Sequence, residues 1–440
     1  MSGRLLHSLA STDALDEAFS DAAVLSSMLR FEAALARAEA RAGLVPASVA
    51  DAIAAVPLDA FDAAALARAA RRSGTIATGF VEALIGRVQA DVPAAAPFVH
   101  WGATSQDLTD TALILSLVRA RDVLAADHRR LLAALRRLSD RHRAAVMLAR
   151  TLLQPAAPTT FGLKAAGWFA GVSRSYAAVS AAFQDAAVAQ FGGPSGTLAA
   201  LGPHGIAVAQ DLARELGLAS PDAPWHTHRE RLATLAASLG VYTGSLGKIA
   251  RDVTLLMQFE VGEAAEPGGG SSSMPHKRNP AGCATVLAAA TRAPGLVSAF
   301  LAGMTQEHER GVGGWHAESL TLAALVQGCG SALAAAADLA EGLTVDPDRM
   351  RRNLAETRGV VFAERAMGLL SPVLGREPAQ RAVAAALERA SAGRDTFAGA
   401  LNANADAAAA LGDRARTLDD PEQYLGSAEA FRRRLLGEEG

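Results

Sequence analysis

The chain has 440 residues, half of them hydrophobic, and carries a formal net charge of −3 with a pI near 6.4. This length allows two or three packed units with a large core. The near-neutral balance gives no global electrostatic case for binding nucleic acid or an anionic membrane surface. Any anion binding must therefore be local.

The two cysteines, Cys283 and Cys329, are too few for a disulfide framework and lack the companions of a zinc site. They are typical of small core residues in a reduced, cytoplasmic protein. Residues 1–19 contain scattered polar and acidic residues, so neither a secretory signal nor an anchor is predicted. No other run approaches a membrane span, which predicts a cytoplasmic protein without membrane contact.

Alanine and leucine abound while aromatic residues make up only 5%, a balance that favours helices over strands. The first clear helical pattern covers residues 24–38, and Gly43 with Pro46 supplies its stop signal. A second helix is predicted over residues 109–143. Its leucines lie one heptad apart, at Leu117, Leu124, Leu131 and Leu138.

The longest apolar seam lies in residues 232–256, where apolar side chains recur strictly in steps of three and four. Its members are Leu232, Leu235, Leu239, Tyr242, Leu246, Ile249, Val253 and Leu256. The seam predicts a straight helix of about 38 Å, at a rise of about 1.5 Å per residue, packed along its length. Glycines on the same helix indicate close approach of a neighbour on another face, at Gly240, Gly244 and Gly247.

Further helices are predicted over residues 162–190, 281–302 and 318–343, and no series of strands and hairpins is evident. Residues 346–348, Asp-Pro-Asp, indicate a helix start, and Gly359 indicates a boundary. Because long helices with heptad seams build bundles, the fold is predicted to be all-α. The predicted domains are an N-terminal helical domain, a central long-helix bundle and a small C-terminal helical domain, at residues 1–108, 109–358 and 359–440.

The most informative segment is Gly-Gly-Gly-Ser-Ser-Ser-Met-Pro-His-Lys-Arg-Asn-Pro, residues 268–280. Its glycines and small hydroxyls offer free backbone N–H donors, while Lys277 and Asn279 add charge and hydrogen bonds, a set suited to holding carboxylates. A Gly/Ser linker is the alternative on composition, but the prolines around the cationic patch fix its presentation. A Walker-type phosphate loop is excluded because no Gly-Lys-Ser/Thr follows a four-residue gap.

Residues 270–279 resemble the signature loop of the fumarase/aspartase superfamily, Gly-Ser-Ser-x-Met-Pro-x-Lys-x-Asn, at every fixed position. The resemblance implies three helical domains and a long central bundle that forms the core of a homotetramer. It also implies active sites shared between subunits, without cofactor or metal.

A second segment, residues 100–112, is similar to the His-x-Gly-x-Thr-Ser-x-Asp region of adenylosuccinate lyase relatives in that superfamily. Hydroxyls and an amide at a helix start can share its N–H groups with a bound carboxylate. Thr104, Ser105 and Gln106 are thus candidate substrate ligands. Capping of the helix by Thr104, Ser105 or Asp107 is the alternative.

Other polar residues near these motifs have open or structural roles. His100 is a candidate catalytic residue that would hold a carboxylate or tune a proton transfer, with a structural histidine as the alternative. Asp107 and Asp110 are predicted to be structural. His226 and His228 suggest a metal pair, but two neighbouring arginines and the lack of nearby carboxylates or thiolates argue against one, and no metal is predicted.

A third segment, residues 150–164, resembles the superfamily pattern Arg-Thr-His-x-x-x-Ala-x-Pro-x-Thr and makes Thr151 and Gln154 candidate substrate ligands. Arg150 is either a further anchor or half of a structural ion pair. Leu152 occupies the place of the histidine thought to protonate the leaving group. Since leucine can neither donate nor accept a proton, either activity is lost or the leaving group needs no acid.

A fourth segment, residues 305–318, resembles the carboxymuconate cycloisomerase branch of the superfamily, as does the tail at residues 420–426. Trp315 and Ser319 stand where adenylosuccinate lyases hold a nucleotide phosphate. Arg310 is the candidate anchor for a substrate carboxylate in this segment.

The resemblance implies a cycloisomerase that acts on a small tricarboxylate by adding one carboxylate across a conjugated double bond. Ser271 would be the base, with Lys277 and Asn279 stabilising the enediolate-like intermediate, and Ser272 and Met274 would contact the substrate. A carboxylate of solution pKa about 4 leaves without protonation, so the missing histidine is tolerable.

Two alternatives stay open. The chain could release fumarate, as adenylosuccinate lyase and other lyases of the superfamily do. It could also be a non-catalytic helical scaffold that has kept the fold, in which case Leu152 marks the lost activity.

Overall fold

A computed structural model describes residues 4–270 and 273–438 of the chain, so Ser271 and Ser272 lie outside the described residues. Its α-helices, in chain order, are α1 (Arg4–His7), α2 (Asp13–Ala18), α3 (Asp21–Arg41), α4 (Ser48–Ala54), α5 (Ala63–Ser73), α6 (Ile76–Asp91), α7 (Ser105–Arg141), α8 (Phe161–Ala186), α9 (Gly205–Leu216), α10 (Glu230–Met257), α11 (Ala281–Ala302), α12 (Gly314–Gly342), α13 (Pro347–Ala355), α14 (Ala363–Leu374), α15 (Arg376–Ser391), α16 (Phe397–Asn402), α17 (Ala405–Leu411) and α18 (Ala428–Leu435). The predicted all-α class is confirmed.

Strands are few and short. Strand β1 (Val146–Thr151) pairs with β2 (Gln154–Thr160) in an antiparallel hairpin, and β3 (Ala264–Ala265) pairs with β4 (Thr344–Val345). The hairpin was not predicted because its two-residue turn is Leu-Leu, whereas hairpin turns are ordinarily signalled by Asn-Gly or Asp-Gly.

The two heptad-patterned helices are confirmed at α7 and α10. The four leucines of α7 are each at most 5% exposed, and every member of the α10 seam is at most 4% exposed. Burial along the whole of each helix explains why a pattern in steps of three and four survives for so many turns.

Glycines let α11 approach α10 closely. A Cβ at Gly240 would lie 2.7 Å from Val297 Cγ2, and one at Gly247 would lie 2.9 Å from the Ala290 Cβ. Both distances are shorter than carbon atoms tolerate, so the predicted close approach is confirmed at these positions. Gly244 has nothing within 4 Å of such a Cβ, and the prediction was wrong there.

The chain forms two compact units. Unit 1 comprises residues 1–129, 174–247 and 285–335, and one of its apolar clusters comes mainly from α3, α4, α6, α9 and the start of α7. Unit 2 comprises residues 130–173, 248–284 and 336–440, and α14 to α17 enclose a core of their own within it. The three domains drawn from the sequence remain a prediction.

Within the described part of the chain, two helices meet the length and hydropathy of a membrane span, so the expectation that no run approaches one was wrong. Helix α12 has a mean hydropathy of 1.6 in its most apolar window and is 61% buried there, as core helices are. Helix α11 has a mean hydropathy of 1.4 and is only 22% buried there. It therefore presents an apolar surface that the described part of the chain does not cover.

Candidate active site

The start of α7 carries the first group of candidate ligands, in unit 1. Thr104 is 9% exposed and immediately precedes the helix, and Ser105 is its first residue. Arg310 lies in the loop between α11 and α12 and donates from Nη1 to Thr104 Oγ1 at 2.6 Å. The structure thus joins two candidate carboxylate ligands that are 206 residues apart.

Gln106 is fully buried, and its amide has a fixed orientation. Its Nε2 donates to the backbone oxygen of His226 at 2.8 Å and to Asp110 Oδ2 at 3.2 Å. Both acceptors need an N–H, so Oε1 must face the other way, where Arg310 Nε donates to it at 3.4 Å. Gln106 therefore contacts Arg310 and is shielded from solvent.

Asp107 is a structural residue, as predicted. It is completely buried and accepts from the backbone N–H of Thr104 at 3.0 Å, Gly192 at 3.0 Å and Gly193 at 2.9 Å. His226 Nε2 lies 2.7 Å from the same carboxylate. These contacts fix the turn that places Thr104 ahead of α7, and they give His226 a partner other than a metal.

His100 pairs with a buried carboxylate that sequence reasoning missed. Its Nδ1 lies 2.6 Å from Glu32 Oε1, and its backbone has a left-handed φ of 60°. Burial is the largest single influence and lowers the pKa of His100, but the charge of Glu32, its hydrogen bond to the ring and the charge of Asp107 together outweigh burial and raise the pKa above its ordinary value. The imidazole side chain is 15% exposed, so Glu32 holds a ring that solvent still reaches.

A buried ion cluster lies beside these residues and was also missed. Arg229 is completely buried between Asp110 and Glu318, and donates to both carboxylates at distances of 2.5 to 3.2 Å. Its guanidinium carbon lies 4.6 Å from the Trp225 ring centroid, and Trp315 Nε1 donates to Asp110 at 2.9 Å. Burial lowers the pKa of Arg229, but the two carboxylates more than offset this and raise it.

The signature loop of unit 2 is closed at its base like a hairpin. Asn279 N–H donates to the carbonyl of Gly269 at 2.6 Å, and an antiparallel bridge joins Gly270 to Arg278. Gly269 has φ 75°, and a Cβ there would overlap the carbonyl of Asn279. The glycine is therefore required by both the backbone angle and the space.

The far side of the loop is anchored to α11. Glu266 is 2% exposed, and its carboxylate accepts from the backbone N–H of Gly282 at 2.8 Å and of Cys283 at 3.1 Å. A carboxylate at a helix N-terminus satisfies free N–H groups and complements the helix dipole. Helix α11 thus begins at a fixed point directly after the loop.

The tip of the loop is exposed. Lys277 is exposed, Met274 is 40% exposed, and Asn279 at the base is half-buried. Ser271 and Ser272, which are predicted as base and substrate contact, lie in the part of the loop that is not described. Lys277 and Asn279 stay predictions as catalytic residues.

The hairpin of unit 2 presents Thr151 and Gln154 as the last residue pair before its turn. The turn residues Leu152 and Leu153 both have left-handed backbones, with φ of 50° and 65°, and are 97% and 75% exposed. Leucine is rare with positive φ, and a fully exposed leucine pair at a turn is unusual. Leu152, which replaces the histidine thought to protonate the leaving group, therefore lies at the exposed turn of the hairpin.

Arg150, beside that hairpin turn, belongs to a structural ion pair. Its Nη1 and Nη2 donate to the two oxygens of Glu263 at 2.9 and 2.7 Å, and Glu263 is fully buried. Asn353 donates to the same carboxylate at 2.7 Å. Of the two alternatives for Arg150, the geometry favours the ion pair.

The predicted ligands fall into two groups. Unit 1 contains His100, Thr104, Ser105, Gln106 and Arg310, and unit 2 contains Thr151, Gln154, Met274, Lys277 and Asn279. Residues 4–270 and 273–438 contain no group of three or more His, Cys, Asp or Glu side chains placed to hold a metal. The partners missed in the sequence lie 68 to 119 residues from the groups they contact. The one available signal was a carboxylate on an apolar helix face, as at Glu32.

Known proteins are similar to this chain along most of its length. A family model described as Lyase matches residues 9–295. The 3-carboxy-cis,cis-muconate cycloisomerase of Bradyrhizobium diazoefficiens is 46% identical over 438 residues, which cover 98% of this chain and 97% of that protein. The nitrosuccinate lyase of Streptomyces davaonensis is 42% identical over 441 residues, covering 96% and 92%.

A solved structure extends the similarity to three dimensions. The crystal structure of 3-carboxy-cis,cis-muconate lactonizing enzyme from Pseudomonas putida matches with a TM-score of 0.94 and 43% identity, covering 99% of each chain. The sequence motifs, the helical fold and these matches agree. The chain belongs to the lyase family of the fumarase/aspartase superfamily, among the relatives of its cycloisomerases.

Proposed function

We propose that this protein is a cycloisomerase that converts 3-carboxy-cis,cis-muconate into 4-carboxymuconolactone, a step in the protocatechuate branch of the β-ketoadipate pathway. The observation that carries the proposal is the similarity to a cycloisomerase along nearly the whole of both chains, with 46% identity. The polar candidate ligands, among them Arg310, Thr104 and His100, suit a substrate with three carboxylates.

The reaction needs a proton at carbon but no acid at the leaving group. In ring closure, a substrate carboxylate oxygen bonds to one diene carbon, and a proton is added to the carbon beside another carboxylate. In reverse, that proton is removed and a carboxylate leaves, which at neutral pH needs no protonation. Leu152 in place of a histidine fits this chemistry and fits poorly with a basic leaving group.

Unit 1 supplies one carboxylate site in this proposal. Arg310 donates to Thr104 through Nη1 and to Gln106 through Nε, while its Nη2 has no hydrogen bond to any described residue. Nη2 would therefore donate to a substrate carboxylate, with the hydroxyls of Thr104 and Ser105 beside it. His100, held by Glu32, would bind a second carboxylate or assist the proton transfer.

Unit 2 supplies the groups that act at carbon. Ser271 would be the base, and its alkoxide needs N–H donors and a cation, which the loop glycines and Lys277 provide. Lys277 and Asn279 would stabilise the enediolate, and donors of this type are commonly worth about 3 kcal/mol each in the transition state. Further contacts to the substrate would come from Thr151, Gln154, Ser272 and Met274.

We further propose that the enzyme is a cytoplasmic homotetramer whose active sites are shared between subunits. Helix α11 supports this, because its apolar surface is mostly uncovered in one chain, and Val241 of α10 is 65% exposed. A second copy of the same bundle would cover both surfaces, as the superfamily resemblance implies. Light scattering after size-exclusion chromatography would test the stoichiometry.

The assay that tests the function is direct. Purified protein is mixed with enzymatically prepared carboxymuconate, and the loss of diene absorbance is followed. The expected result is a first-order loss of diene with formation of the lactone. Because a nitrosuccinate lyase is 42% identical, fumarate release from nitrosuccinate and from adenylosuccinate is measured in parallel. Fumarate without diene loss would replace the proposed function, and inertness toward every substrate would favour a scaffold.

A further inference from the structure

The fully buried Arg229 of unit 1 is linked to the candidate substrate ligands by hydrogen bonds. A lone buried guanidinium would be costly, and here it is bound on two sides by Asp110 and Glu318, both at most 3% exposed. Asp110 lies in α7, Arg229 immediately precedes α10, and Glu318 lies in the first turns of α12. We call Asp110, Arg229 and Glu318 the buried triad.

The first connection runs from the triad to Arg310 through Gln106. Asp110 Oδ2 accepts from Arg229 Nη1 at 2.8 Å and from Gln106 Nε2 at 3.2 Å. This contact and the one to the backbone of His226 use both N–H groups of the amide, so its oxygen is turned toward Arg310. Arg310 is consequently held on Thr104 by a side chain whose orientation Asp110 sets.

The second connection runs through Gln306, in the loop that carries Arg310. Gln306 Nε2 donates to Glu318 Oε1 at 2.7 Å and to the backbone oxygen of Gly303 at 3.2 Å. A Cβ at Gly311 would lie 2.8 Å from the Gln306 Cβ, so the backbone next to Arg310 packs directly on this side chain. Glu318 thus fixes the loop that carries Arg310. Asp110 fixes the side-chain amide of Gln106, which Arg310 contacts.

The charges of these residues are also consistent with a positioning role. Two carboxylates around one guanidinium leave the buried triad with a net charge of −1 at neutral pH. Arg310 supplies the balancing positive charge, and Gln106 is the bridge between them. The attraction between these opposite charges draws Arg310 toward one position.

We infer that Asp110, Arg229 and Glu318 are positioning residues that hold Arg310 against Thr104 in a geometry ready to receive a substrate carboxylate. They act through Gln106 and Gln306 and touch no substrate themselves. The inference rests on the proposed function for the identity of that substrate, but the placement of Arg310 can be measured without it.

The test compares Glu318→Gln and Trp315→Phe with the wild type. Glu318→Gln removes one charge of the triad at constant shape, whereas Trp315→Phe removes the hydrogen bond to Asp110 and part of the ring but leaves the charges of the triad unchanged. For carboxymuconate turnover, Glu318→Gln is expected to raise KM about tenfold or more with kcat changed less than about threefold, because a ground-state contact is lost. Trp315→Phe is expected to raise KM by about two- to fivefold.

A control is Glu429→Gln in unit 2. Glu429 accepts hydrogen bonds of 2.8 and 2.9 Å from the buried Arg432, although the Glu429 side chain is itself 54% exposed. This variant should leave KM within about twofold of the wild type. An equal rise of KM in Glu429→Gln and Glu318→Gln would reduce the effect to general destabilisation and overturn the inference.

Crystal structures of the wild type, the two test variants and the control Glu429→Gln provide a readout that does not depend on the substrate. The inference requires that the contact from Arg310 Nη1 to Thr104 Oγ1 be broken in Glu318→Gln and preserved in Glu429→Gln. An Arg310 that stays on Thr104 in Glu318→Gln would overturn the inference. If Glu318→Gln does not fold, an unmoved Arg310 together with an unchanged KM in Trp315→Phe would overturn it. Wild-type inactivity toward carboxymuconate with a displaced Arg310 in Glu318→Gln would instead reject only the proposed function.

Discussion

Arg310 of unit 1 is held by buried partners, whereas the tip of the signature loop in unit 2 is exposed from residue 273 to residue 278. Thr104 is 9% exposed, and the groups behind it, Gln106 and Asp110, are at most 3% exposed. The loop has a base closed by the hydrogen bond from the Asn279 N–H to the carbonyl of Gly269, and its tip is open to solvent.

In the proposed function, this difference assigns substrate binding to unit 1 and proton transfer at carbon to the loop of unit 2. A side chain that binds a carboxylate gives higher affinity when it is already ordered, because less conformational entropy is lost on binding. A serine that must become an alkoxide needs water to be excluded at the moment of reaction, and an exposed loop can achieve that only when substrate or another subunit covers it. Substitutions at the ligands of unit 1 are therefore expected to raise KM, and substitutions in the loop are expected to lower kcat.

The largest effect is expected at Ser271. Ser271→Ala should lower kcat by about 1000-fold or more, because no other hydroxyl takes over the proton at carbon. Initial rates of diene loss measure this, and light scattering checks that the oligomer is unchanged. Ser273→Ala, two positions along, is the control and should keep most activity. Residual activity of Ser271→Ala above about one tenth of the wild type would reject Ser271 as the base.

The base of the loop gives a sharper test of the comparison. Gly268 and Gly269 both have left-handed backbones, with φ of 87° and 75°, but only a Cβ at Gly269 would collide with Asn279. Gly269→Ala should lower kcat by about 100-fold because Asn279 and the loop are displaced, and Gly268→Ala by less than about tenfold. Equal losses would show that the strained backbone angle matters and that the closed base does not.

Burial in unit 1 predicts a pH-dependent stability at Glu39. The carboxylate is fully buried with no partner among the described residues, and burial, reinforced by Glu32, raises its pKa from 4.5 to about 9. The neutral form stabilises the fold fully below pH 4.5, and this stabilisation is lost as pH rises toward 9.

Glu39→Gln lacks this ionisable group, so it should be more stable than the wild type by about 1–3 kcal/mol at pH 8 and nearly equal to it at pH 4.5. Urea unfolding followed by circular dichroism at both pH values measures the difference. Glu82→Gln, an exposed glutamate of α6, is the control. A stability gain that is the same at both pH values would contradict a buried, neutral Glu39.

The smallest effect is expected at the hairpin turn of unit 2. Replacing Leu152 by Asn and Leu153 by Gly supplies residues that tolerate positive φ, so the free energy of unfolding should rise by about 1 kcal/mol. The double variant Leu152→Ala, Leu153→Ala retains the backbone strain while it removes the exposed side chains, and should show no such gain. Urea midpoints compare the two. Equal midpoints for both variants would show that the left-handed turn is not strained.

The sequence predicted the long helices of this fold well because their signal is periodic and long. The seam of α10 and the heptads of α7 were each confirmed, since burial along a whole helix is written into every third or fourth residue. The β1–β2 hairpin was missed because Leu152 and Leu153 carry no turn signal. Prediction from local sequence fails where the tertiary structure imposes a backbone angle that the residues at that position disfavour.

Prediction of the candidate site was uneven for a related reason. Motifs identified Thr104 and Arg310, and their contact is observed. The partners Glu32, Arg229 and Glu318 could not be found, because a buried ion pair between distant segments has no spacing that a sequence reveals. Ser271 remains a prediction drawn from its motif alone.

In the proposed function, residues of unit 1 bind carboxylates of the substrate. The bound substrate then closes its lactone ring, and one carbon receives a single proton. Turnover of carboxymuconate in D₂O, followed by proton nuclear magnetic resonance, tests this proposal most directly. The expected product is a carboxymuconolactone with one deuterium at the carbon beside a carboxylate, and replacement of Arg310 by Met is expected to raise KM. Unchanged carboxymuconate alongside fumarate released from nitrosuccinate or adenylosuccinate would contradict it.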